Sequence, residues 1–335
     1  MANILFTTYC NRNCSYCFAK SKVDLNRDSG DPSKNLNLSN LEKIIAFYQR
    51  SLLKRITVLG GEPTLNPDFI PLMDRIFAEP GFRTVMLFTN GVIPEKALAY
   101  LADNQDSRLK VAMNLNAPHH YPSHQQDRIN QAMESLGSRV GLGINIYRAG
   151  QDYDYPIDAI TTYKLAPHIR VGLTHPIVES KNSFAQKQDL PAIARDLVAF
   201  AKTAFEHRIT YSFDCGFPFC MFTLDQHKEL LRYGIKFKSE CAPIVDIGPD
   251  LSVWRCFPML NDVCGHLDQF QTRDEIIEHY QEKFKHIMAM GNRAECPQCR
   301  YRINKLCRGG CLARTLIDFQ YEPMGQAADV SNERS

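Results

Sequence analysis

The chain has 335 residues, of which 44% are hydrophobic and 23% charged, as is ordinary for a globular protein with a packed core. Its formal net charge is +2 at pH 7, and no basic arm or block of like charge stands out, which argues against a nucleic-acid-binding protein. The sequence has neither a run of transmembrane length nor the pattern of a signal peptide, so we predict a cytoplasmic protein with no membrane partner.

Short β-rich runs alternate with helical patterns from residue 3 to about residue 214. The first helical pattern, LEKIIAFYQRSLL, begins just after Ser39, which has capping-box spacing to Glu42. Such alternation implies parallel strands in a partial barrel or an open sheet, with the chemistry at the carboxyl ends of the strands. The predicted strands are residues 4–9, 55–60, 83–89, 109–116, 140–147 and 168–175, followed by 209–214.

The composition changes after residue 214, because nine of the twelve cysteines lie beyond it. In a cytosolic protein these thiols stay reduced, and their clustered spacing indicates metal sites rather than disulfides. We therefore predict a barrel domain over residues 1–214, a small cysteine-rich domain over residues 215–323, and a flexible polar tail over residues 324–335.

Three cysteines follow the first predicted strand as C-x3-C-x2-C: Cys10, Cys14 and Cys17. Thiolates so close together on one loop can bind three irons of an iron–sulfur cube and leave the fourth iron open. An open position is typical of a catalytic metal site, whereas a structural site is closed. A zinc knuckle or a set of buried thiols is the alternative.

The segment CNRNCSYC resembles the signature C-x3-C-x-Φ-C of the radical S-adenosylmethionine (SAM) enzymes, with Tyr16 at the aromatic position. This resemblance implies an α/β fold, a partial (β/α)6 TIM-like barrel followed by the small cysteine-rich domain. It also implies a [4Fe–4S] cluster whose open iron is chelated by SAM. Reductive cleavage of SAM would give a 5′-deoxyadenosyl radical that abstracts a substrate hydrogen. An electron donor such as flavodoxin or ferredoxin would be a partner.

The ends of the following strands carry the residues that the resemblance assigns to SAM. LGGEPTL (59–65) is similar to the family's GGEP motif, which binds the amino group of SAM; without that context it could be a turn before a helix. The turn after the third strand would face the methionine moiety, the end of the fourth the ribose and the fifth the adenine. The assigned residues are Gly60, Gly61, Glu62, Thr89, Asn90, Asn114, Asn116, Ile144 and Asn145.

The segment CPQCRYRINKLCRGGC has the spacing C-x2-C-x7-C-x3-C. On chemistry alone a zinc ribbon competes with an iron–sulfur site. The segment resembles the core of SPASM domains, which carry auxiliary clusters, although its middle gap is two residues longer. The segment CAPIVDIGPDLSVWRC resembles the SPASM lead-in, with Leu251 where that pattern has glycine. The cysteines of these two segments are Cys241, Cys256, Cys296, Cys299, Cys307 and Cys311.

The resemblance implies one or two auxiliary [4Fe–4S] clusters. The first would use Cys241, Cys256 and Cys311, with Cys220 (or Cys215) as the early ligand. The second would use the other three cysteines of the core, and no cysteine follows Cys311 to complete it. Cys264, a non-cysteine ligand or an open site are the alternatives there, and a single-cluster "twitch" domain is another. Cys215 is alternatively a catalytic redox-active thiol or an inert buried one.

SPASM-bearing enzymes often modify ribosomally made peptides, and we predict modification of a peptide or protein by cross-linking, epimerisation or oxidation. A small-molecule substrate is the alternative within the family. A non-catalytic electron carrier or a zinc-ribbon binding module is the alternative from another class. The chain starts almost directly with its first strand, so a leader peptide would be read by a separate leader-peptide-binding protein or by the barrel itself.

Overall fold

The computed structural model describes residues 2–22, 31–235, 241 and 244–319, and the predicted tail, like residues 320–323, lies outside these ranges. Ten strands of the described residues form one sheet in the order β10-β9-β8-β1-β2-β3-β4-β5-β6-β7. The strands are β1 (Ala2–Leu5), β2 (Arg55–Leu59), β3 (Thr84–Thr89), β4 (Leu109–Asn114), β5 (Val140–Ile146), β6 (His168–Leu173), β7 (Thr210–Phe213), β8 (Val245–Ile247), β9 (Ser252–Trp254) and β10 (Val263–His266).

Helices connect the parallel strands and continue beyond them. Those of the barrel are α1 (Leu38–Arg50), α2 (Phe69–Phe77), α3 (Glu95–Asp103), α4 (Ser123–Leu136), α5 (Tyr155–Tyr163) and α6 (Leu190–Glu206). The later helices are α7 (Leu224–Arg232), α8 (Arg273–Met290), α9 (Arg300–Ile303) and α10 (Leu312–Asp318). No helix within the described ranges is both long and apolar enough to cross a bilayer.

Strands β1 to β7 pair in chain order, and every pair among them is parallel. Alternate side chains of β3 and β4, such as Val85, Leu87, Val111 and Met113, are buried in the core that the helices cover. The other side chains of these strands face the concave inner surface of the sheet. The predicted fold, an α/β partial barrel, is confirmed, and the carboxyl ends of its strands meet at one mouth.

The segment after β7 contains more regular structure than its sequence suggests. Strand β8 pairs in parallel with β1, with Asn3 opposite Asp246, and β9 and β10 extend the same sheet in antiparallel order. No strands were predicted here, because strands of three or four residues are too short to show a period. The sheet is thus continuous across the boundary predicted near residue 214.

The start of α1 differs from the predicted capping box. Asn37 is the N-cap, and its side chain accepts a hydrogen bond from the Asn40 backbone at 2.9 Å. The prediction that Ser39 and Glu42 form the box was wrong, because the helix starts at Leu38 and Ser39 is already inside it. Glu42 instead forms an ion pair with Arg75 of α2, with 2.6 Å between Oε1 and Nε.

Replacing Tyr48 by phenylalanine is expected to lower the free energy of unfolding by about 1.5 kcal/mol. The Tyr48 hydroxyl, fully buried against the sheet, donates to the Ala2 carbonyl at 2.9 Å, so the variant loses a buried hydrogen bond. The exposed hydroxyl of Tyr100, which donates to Asp74 at 2.6 Å, provides the control variant Tyr100→Phe. Urea unfolding of both variants measures the difference, and equal midpoints would contradict the prediction.

Candidate active site

The chain that leaves β1 stays paired to the chain that leaves β2. Phe6 donates its N–H to the Leu59 carbonyl at 2.8 Å, and the N–H groups of Gly61 and Glu62 donate to the carbonyls of Thr7 and Tyr9 at 2.9 and 2.7 Å. This pairing delivers the three-cysteine loop directly beside the GGE segment. The two motifs, separate in the sequence, therefore form one structure at the mouth of the barrel.

The two glycines of the GGE segment are required by this pairing. A Cβ atom on Gly60 would lie 2.4 Å from the Thr7 carbonyl oxygen, and one on Gly61 would lie 2.2 Å from that of Tyr9. The resemblance to the GGEP motif assigned both glycines to SAM binding. The structure shows a further reason for them, since here it is the backbone preceding Cys10 that approaches so closely.

The Glu62 carboxylate joins the end of β2 to the end of β3. Its Oε1 accepts from the Thr64 hydroxyl at 2.7 Å, the Thr89 hydroxyl donates at 3.0 Å, and the Asn90 N–H donates to Oε2 at 2.8 Å. The carboxylate is fully buried, and burial raises its pKa although these donors act in the opposite direction. In this structure Glu62 is saturated by protein donors and holds the two strand ends together.

Asn90 connects the β3 turn to the three-cysteine loop. Its side-chain amide lies 3.7 Å from the Cys10 Sγ and donates to Asn11 Oδ1 at 2.9 Å, while its Oδ1 accepts from the Val92 N–H at 2.9 Å. An amide donor directed at a thiolate sulfur stabilises the ionised form that binds metal. The structure thus places Asn90 next to Cys10.

Tyr16 lies over the ends of β4 and β5. Its hydroxyl donates to Asn116 Oδ1 at 2.5 Å, and its ring stacks on Tyr147 with 5.1 Å between the centroids. On the other side of the loop, the Ser183 N–H donates to the Ser15 carbonyl at 2.8 Å. These contacts spread the three-cysteine loop across the carboxyl ends of the strands from β3 to β6.

The thiols of this loop lie within electrostatic range of one another. Burial raises the pKa of Cys10 to about 12, and the charges of Glu62, Cys17 and Cys14 add to the effect. Burial also raises the pKa of Cys17 to about 11, with Cys14 adding to it. Such thiols ionise only when a cation compensates their charge, as the irons of a cluster do. The donor set therefore fits an iron–sulfur cluster.

No three His, Cys, Asp or Glu side chains of the described residues converge closely enough to hold a single metal ion. A cubane does not require that convergence, because each thiolate binds a different iron.

The remaining predicted SAM residues lie on β4 and β5. Asn114 is half-buried on the inner face, and its Oδ1 accepts from Arg170 Nη2 at 3.1 Å. Asn145 is also half-buried there, and its carbonyl accepts from Gln151 at 3.1 Å. Ile144 instead belongs to the core under the helices and is 1% exposed, because alternate residues of a strand face opposite sides. The prediction that Ile144 contacts adenine is therefore not supported by its position.

Arg170 of β6 is an inner-face residue that the sequence analysis missed. It pairs with Asp214 at 2.7 Å, and its guanidinium lies 5.0 Å from the centroid of the Phe88 ring. It therefore joins β3, β4 and the end of β7 across the interior of the barrel. The signal in the sequence that could have identified Arg170 is its charge within a largely apolar strand.

His175, just after β6, is a second polar residue near the strand ends that the sequence did not single out. The residue is 4% exposed, and neither ring nitrogen has a hydrogen-bond partner among the described residues. Burial, with a smaller effect of Arg314, lowers its pKa to about 3. A Cβ atom on Gly216 would lie 2.3 Å from the His175 Nε2, so the turn after Cys215 packs directly on the ring. No sequence pattern distinguishes this histidine from others on the chain.

The downstream cysteines act electrostatically on one another in two sets. The pKa of Cys215 is raised first by burial, then by the charge of Asp214, and then by the thiols of Cys241 and Cys311. Burial and then the same two thiols raise the pKa of Cys256, and Arg255 donates to the Cys241 carbonyl at 3.0 Å. The pKa of Cys220 is raised by burial and then by a different set of thiols, those of Cys307, Cys296 and Cys299.

Residues 4–142 match the family model of the radical SAM superfamily. The GTP 3′,8-cyclase of Pectobacterium atrosepticum is 25% identical over 138 residues, which are 41% of this chain and 41% of that protein. The match thus spans less than half of that curated relative.

Two solved structures share the fold over most of the chain. The structure of anSMEcpe with bound AdoMet has a TM-score of 0.63 at 18% identity and covers 96% of this chain and 95% of that one. The structure of Streptococcus suis SuiB bound to the precursor peptide SuiA has a TM-score of 0.62 at 18% identity and covers 93% of this chain and 71% of that one.

A parallel α/β barrel with three cysteines gathered over its strand ends fits a protein of the class that holds an iron–sulfur cluster at the barrel mouth. Residues 4–142, less than half of the chain, thus carry a match to the radical SAM superfamily. Its cofactors are accordingly a [4Fe–4S] cluster and SAM, as the resemblance of CNRNCSYC implied.

Replacing Glu62 by glutamine is expected to lower the free energy of unfolding by about 2 kcal/mol. Glutamine puts an NH2 group where a carboxylate oxygen accepts, so either the Thr64 or the Asn90 N–H loses its acceptor. Glu42→Gln is the matched control, because Glu42 is half-exposed in its ion pair and is expected to contribute under about 1 kcal/mol. Denaturant midpoints compare the two variants, and similar losses would argue against the buried network.

Proposed function

We propose that this chain cleaves SAM reductively and uses the resulting 5′-deoxyadenosyl radical to abstract hydrogen from a peptide or protein. The observation that best supports this reaction is the contact between the Asn90 side-chain amide, at the end of β3, and the sulfur of Cys10 in the loop that lies over the strand ends. Cys10, Cys14 and Cys17 would hold the cluster, which supplies the electron for cleavage when it is bound. We also propose that the reaction takes place in the cytoplasm, where twelve free cysteines stay reduced.

The residues of the site would bind, orient and exclude water. The backbone of Gly60 and Gly61 lies beside the loop and would receive the amino group of SAM, while Asn90 keeps the Cys10 sulfur in place. Tyr16 and Asn116 close the side of the loop toward β4, where the ribose would lie. The Tyr16 ring on Tyr147 adds an apolar surface that keeps water from the reacting carbon.

The proposed substrate class is supported by the extent of the fold match. The likeness to SuiB, a protein whose structure is solved with its precursor peptide, continues through the cysteine-rich segment. The sequence match to the GTP 3′,8-cyclase, in contrast, spans only 41% of the chain. The partners of this function would be an electron donor such as flavodoxin or ferredoxin and, unless the barrel itself binds the leader peptide, a separate leader-peptide-binding protein.

A small-molecule substrate is the second candidate, and Arg170 favours it. The guanidinium is partly exposed inside the barrel between Asn114 and Asp214. Such a group can bind a carboxylate or a phosphate in bidentate geometry. The name of the curated relative, a GTP cyclase, also agrees with a substrate of that kind.

The test is anaerobic turnover of the reconstituted full chain with SAM and dithionite. Formation of 5′-deoxyadenosine is expected, and its absence from iron-loaded protein would overturn the proposed reaction. Candidate peptides and GTP are then added separately and analysed by mass spectrometry. A mass change in a peptide, with deuterium transfer from labelled peptide into 5′-deoxyadenosine, supports the peptide substrate, whereas consumption of GTP favours the second candidate.

A further inference from the structure

The turn that contains Cys220 is held against the C-x2-C-x7-C segment. Cys220 lies in the short 3-10 turn Phe219–Met221, and the Phe219 ring packs on Tyr301 with 4.8 Å between the centroids. Tyr301 belongs to α9, between Cys299 and Cys307 in the sequence. The Phe219 ring also stacks on His227 of α7 at 3.8 Å, and the Phe219 carbonyl is 2.9 Å from the His227 Nε2. The position of Cys220 is therefore fixed from both sides.

The three later cysteines form a compact unit beside this turn. The Cys299 N–H donates to the Cys296 carbonyl at 3.2 Å, and the Cys307 N–H donates to the Tyr301 carbonyl at 3.1 Å. Cys296 and Cys307 are both 8% exposed. The Gly309 N–H donates to the Cys307 sulfur at 3.4 Å, as backbone amides do toward ligating thiolates.

Close backbone contacts hold this unit together. A Cβ atom on Gly291 would lie 2.6 Å from the Cys296 Cβ, and one on Gly309 would lie 2.7 Å from the Gly291 Cα. Both glycines have positive φ, of 73° and 94°. The Asn292 N–H donates to the Gly309 carbonyl at 2.9 Å. The backbone before Cys296 and after Cys307 is therefore locked into one shape.

From this geometry we propose that Cys220 is the fourth ligand of a second auxiliary [4Fe–4S] site, with Cys296, Cys299 and Cys307. The sequence resemblance left this position open, since no cysteine follows Cys311. With Cys220 in the second site, Cys215 is left as the early candidate ligand of the first auxiliary site, the alternative that the sequence resemblance gave. The four thiols bind as thiolates and release their protons on assembly. The proposal rests on the proposed function only in that the sites hold iron–sulfur clusters.

Cys264, the other candidate for the fourth ligand, lies elsewhere. It is on β10 at the edge of the sheet, and its side chain hydrogen-bonds to Tyr280 of α8. The thiols that act electrostatically on Cys220 are those of the second set, and Cys264 is not among them. Cys264 is half-buried and thus provides a matched control outside both sets.

The test compares the metal and sulfide contents of the full-length Cys220→Ala and Cys264→Ala variants after anaerobic reconstitution. The wild type and Cys264→Ala are expected to contain three clusters, about twelve irons per chain. Cys220→Ala is expected to lose up to about four of them or to convert one cluster to a three-iron form, seen by Mössbauer and EPR spectroscopy. Iron and sulfide equal to those of Cys264→Ala, or zinc in place of iron, would overturn the assignment.

A second measurement uses the wild-type protein and so does not depend on how a variant folds. Cys220 is exposed in the polypeptide, so an alkylating reagent would reach it unless a cluster covers it. Peptide mass mapping is expected to find Cys220 protected in the reconstituted protein and modified after the clusters are removed by a chelator. Equal modification in both states would contradict the proposal. Formation of 5′-deoxyadenosine is measured on the same wild-type sample, so failure of the proposed function is recognised separately.

Discussion

Replacing Cys10, Cys14 and Cys17 together by alanine is expected to remove one cluster, about four irons per chain, and to abolish formation of 5′-deoxyadenosine. These three thiols lie in one another's electrostatic range, and the Asn90 amide is directed at the Cys10 sulfur. Without them no ligand anchors the cluster at the barrel mouth. Iron analysis and chromatography of the reaction products provide the measurement.

The control for this variant is Cys264→Ala, which also removes a half-buried thiol but lies on the edge strand β10. It is expected to keep the iron content and the SAM cleavage of the wild type. If the triple variant retained all of its iron, the three-cysteine loop would not be a cluster site and the reading of the motif would be wrong.

Replacing Gly61 by alanine is expected to have the second largest effect, because the new methyl group has no space. Its Cβ would lie 2.2 Å from the Tyr9 carbonyl oxygen and 2.6 Å from the carbonyl carbon, both of them backbone atoms. The chain before Cys10 must move, and the hydrogen bond from the Glu62 N–H to the Tyr9 carbonyl is lost with it. We expect destabilisation of about 3 kcal/mol and poor loading of the SAM-binding cluster.

Gly141→Ala is the matched control on the same sheet. A Cβ atom there would meet only the His168 carbonyl oxygen, at 4.0 Å, which is ordinary van der Waals contact. Thermal unfolding and iron content of the two variants are compared after reconstitution under the same conditions. If Gly61→Ala matched Gly141→Ala in thermal stability and iron content, the close pairing of the three-cysteine loop with the GGE segment would not be needed.

Much of the barrel could be predicted because its signals are local. The alternation of β-rich runs and helical patterns predicted strands β1 to β7 within a few residues, although β1 begins earlier than residue 4 and ends at Leu5. The capping of α1 was predicted wrongly, since Ser39 and Glu42 have capping-box spacing but Asn37, two residues before Ser39, is the N-cap. Short strands such as β8, Val245–Ile247, escaped prediction because three residues carry no readable period.

The residues that the resemblance assigned to SAM were likewise predicted correctly only in part, because their strands were predicted but not the face on which each side chain lies. The strand ends that carry Thr89, Asn90, Asn114 and Asn116 followed from the order of the predicted strands. Which side chains reach the inner face depended on the exact register of each strand, and a shift by one residue exchanges the two faces. Ile144 was assigned to the adenine of SAM but belongs to the core, while Asn145 next to it lies on the inner face.

The sequence by itself determined the chemistry at the barrel mouth, since the three-cysteine spacing and the alternating strands are properties of neighbouring residues. Only the tertiary structure decided how distant residues combine. Glu62 bridges two strand ends, and different thiols act electrostatically on Cys215 and on Cys220 although only five positions separate the two. Between them lie the turn at Gly216, with φ of 91°, and Phe219, whose ring packs on Tyr301. Such contacts depend on the packing of whole elements, and no local pattern in the chain encodes them.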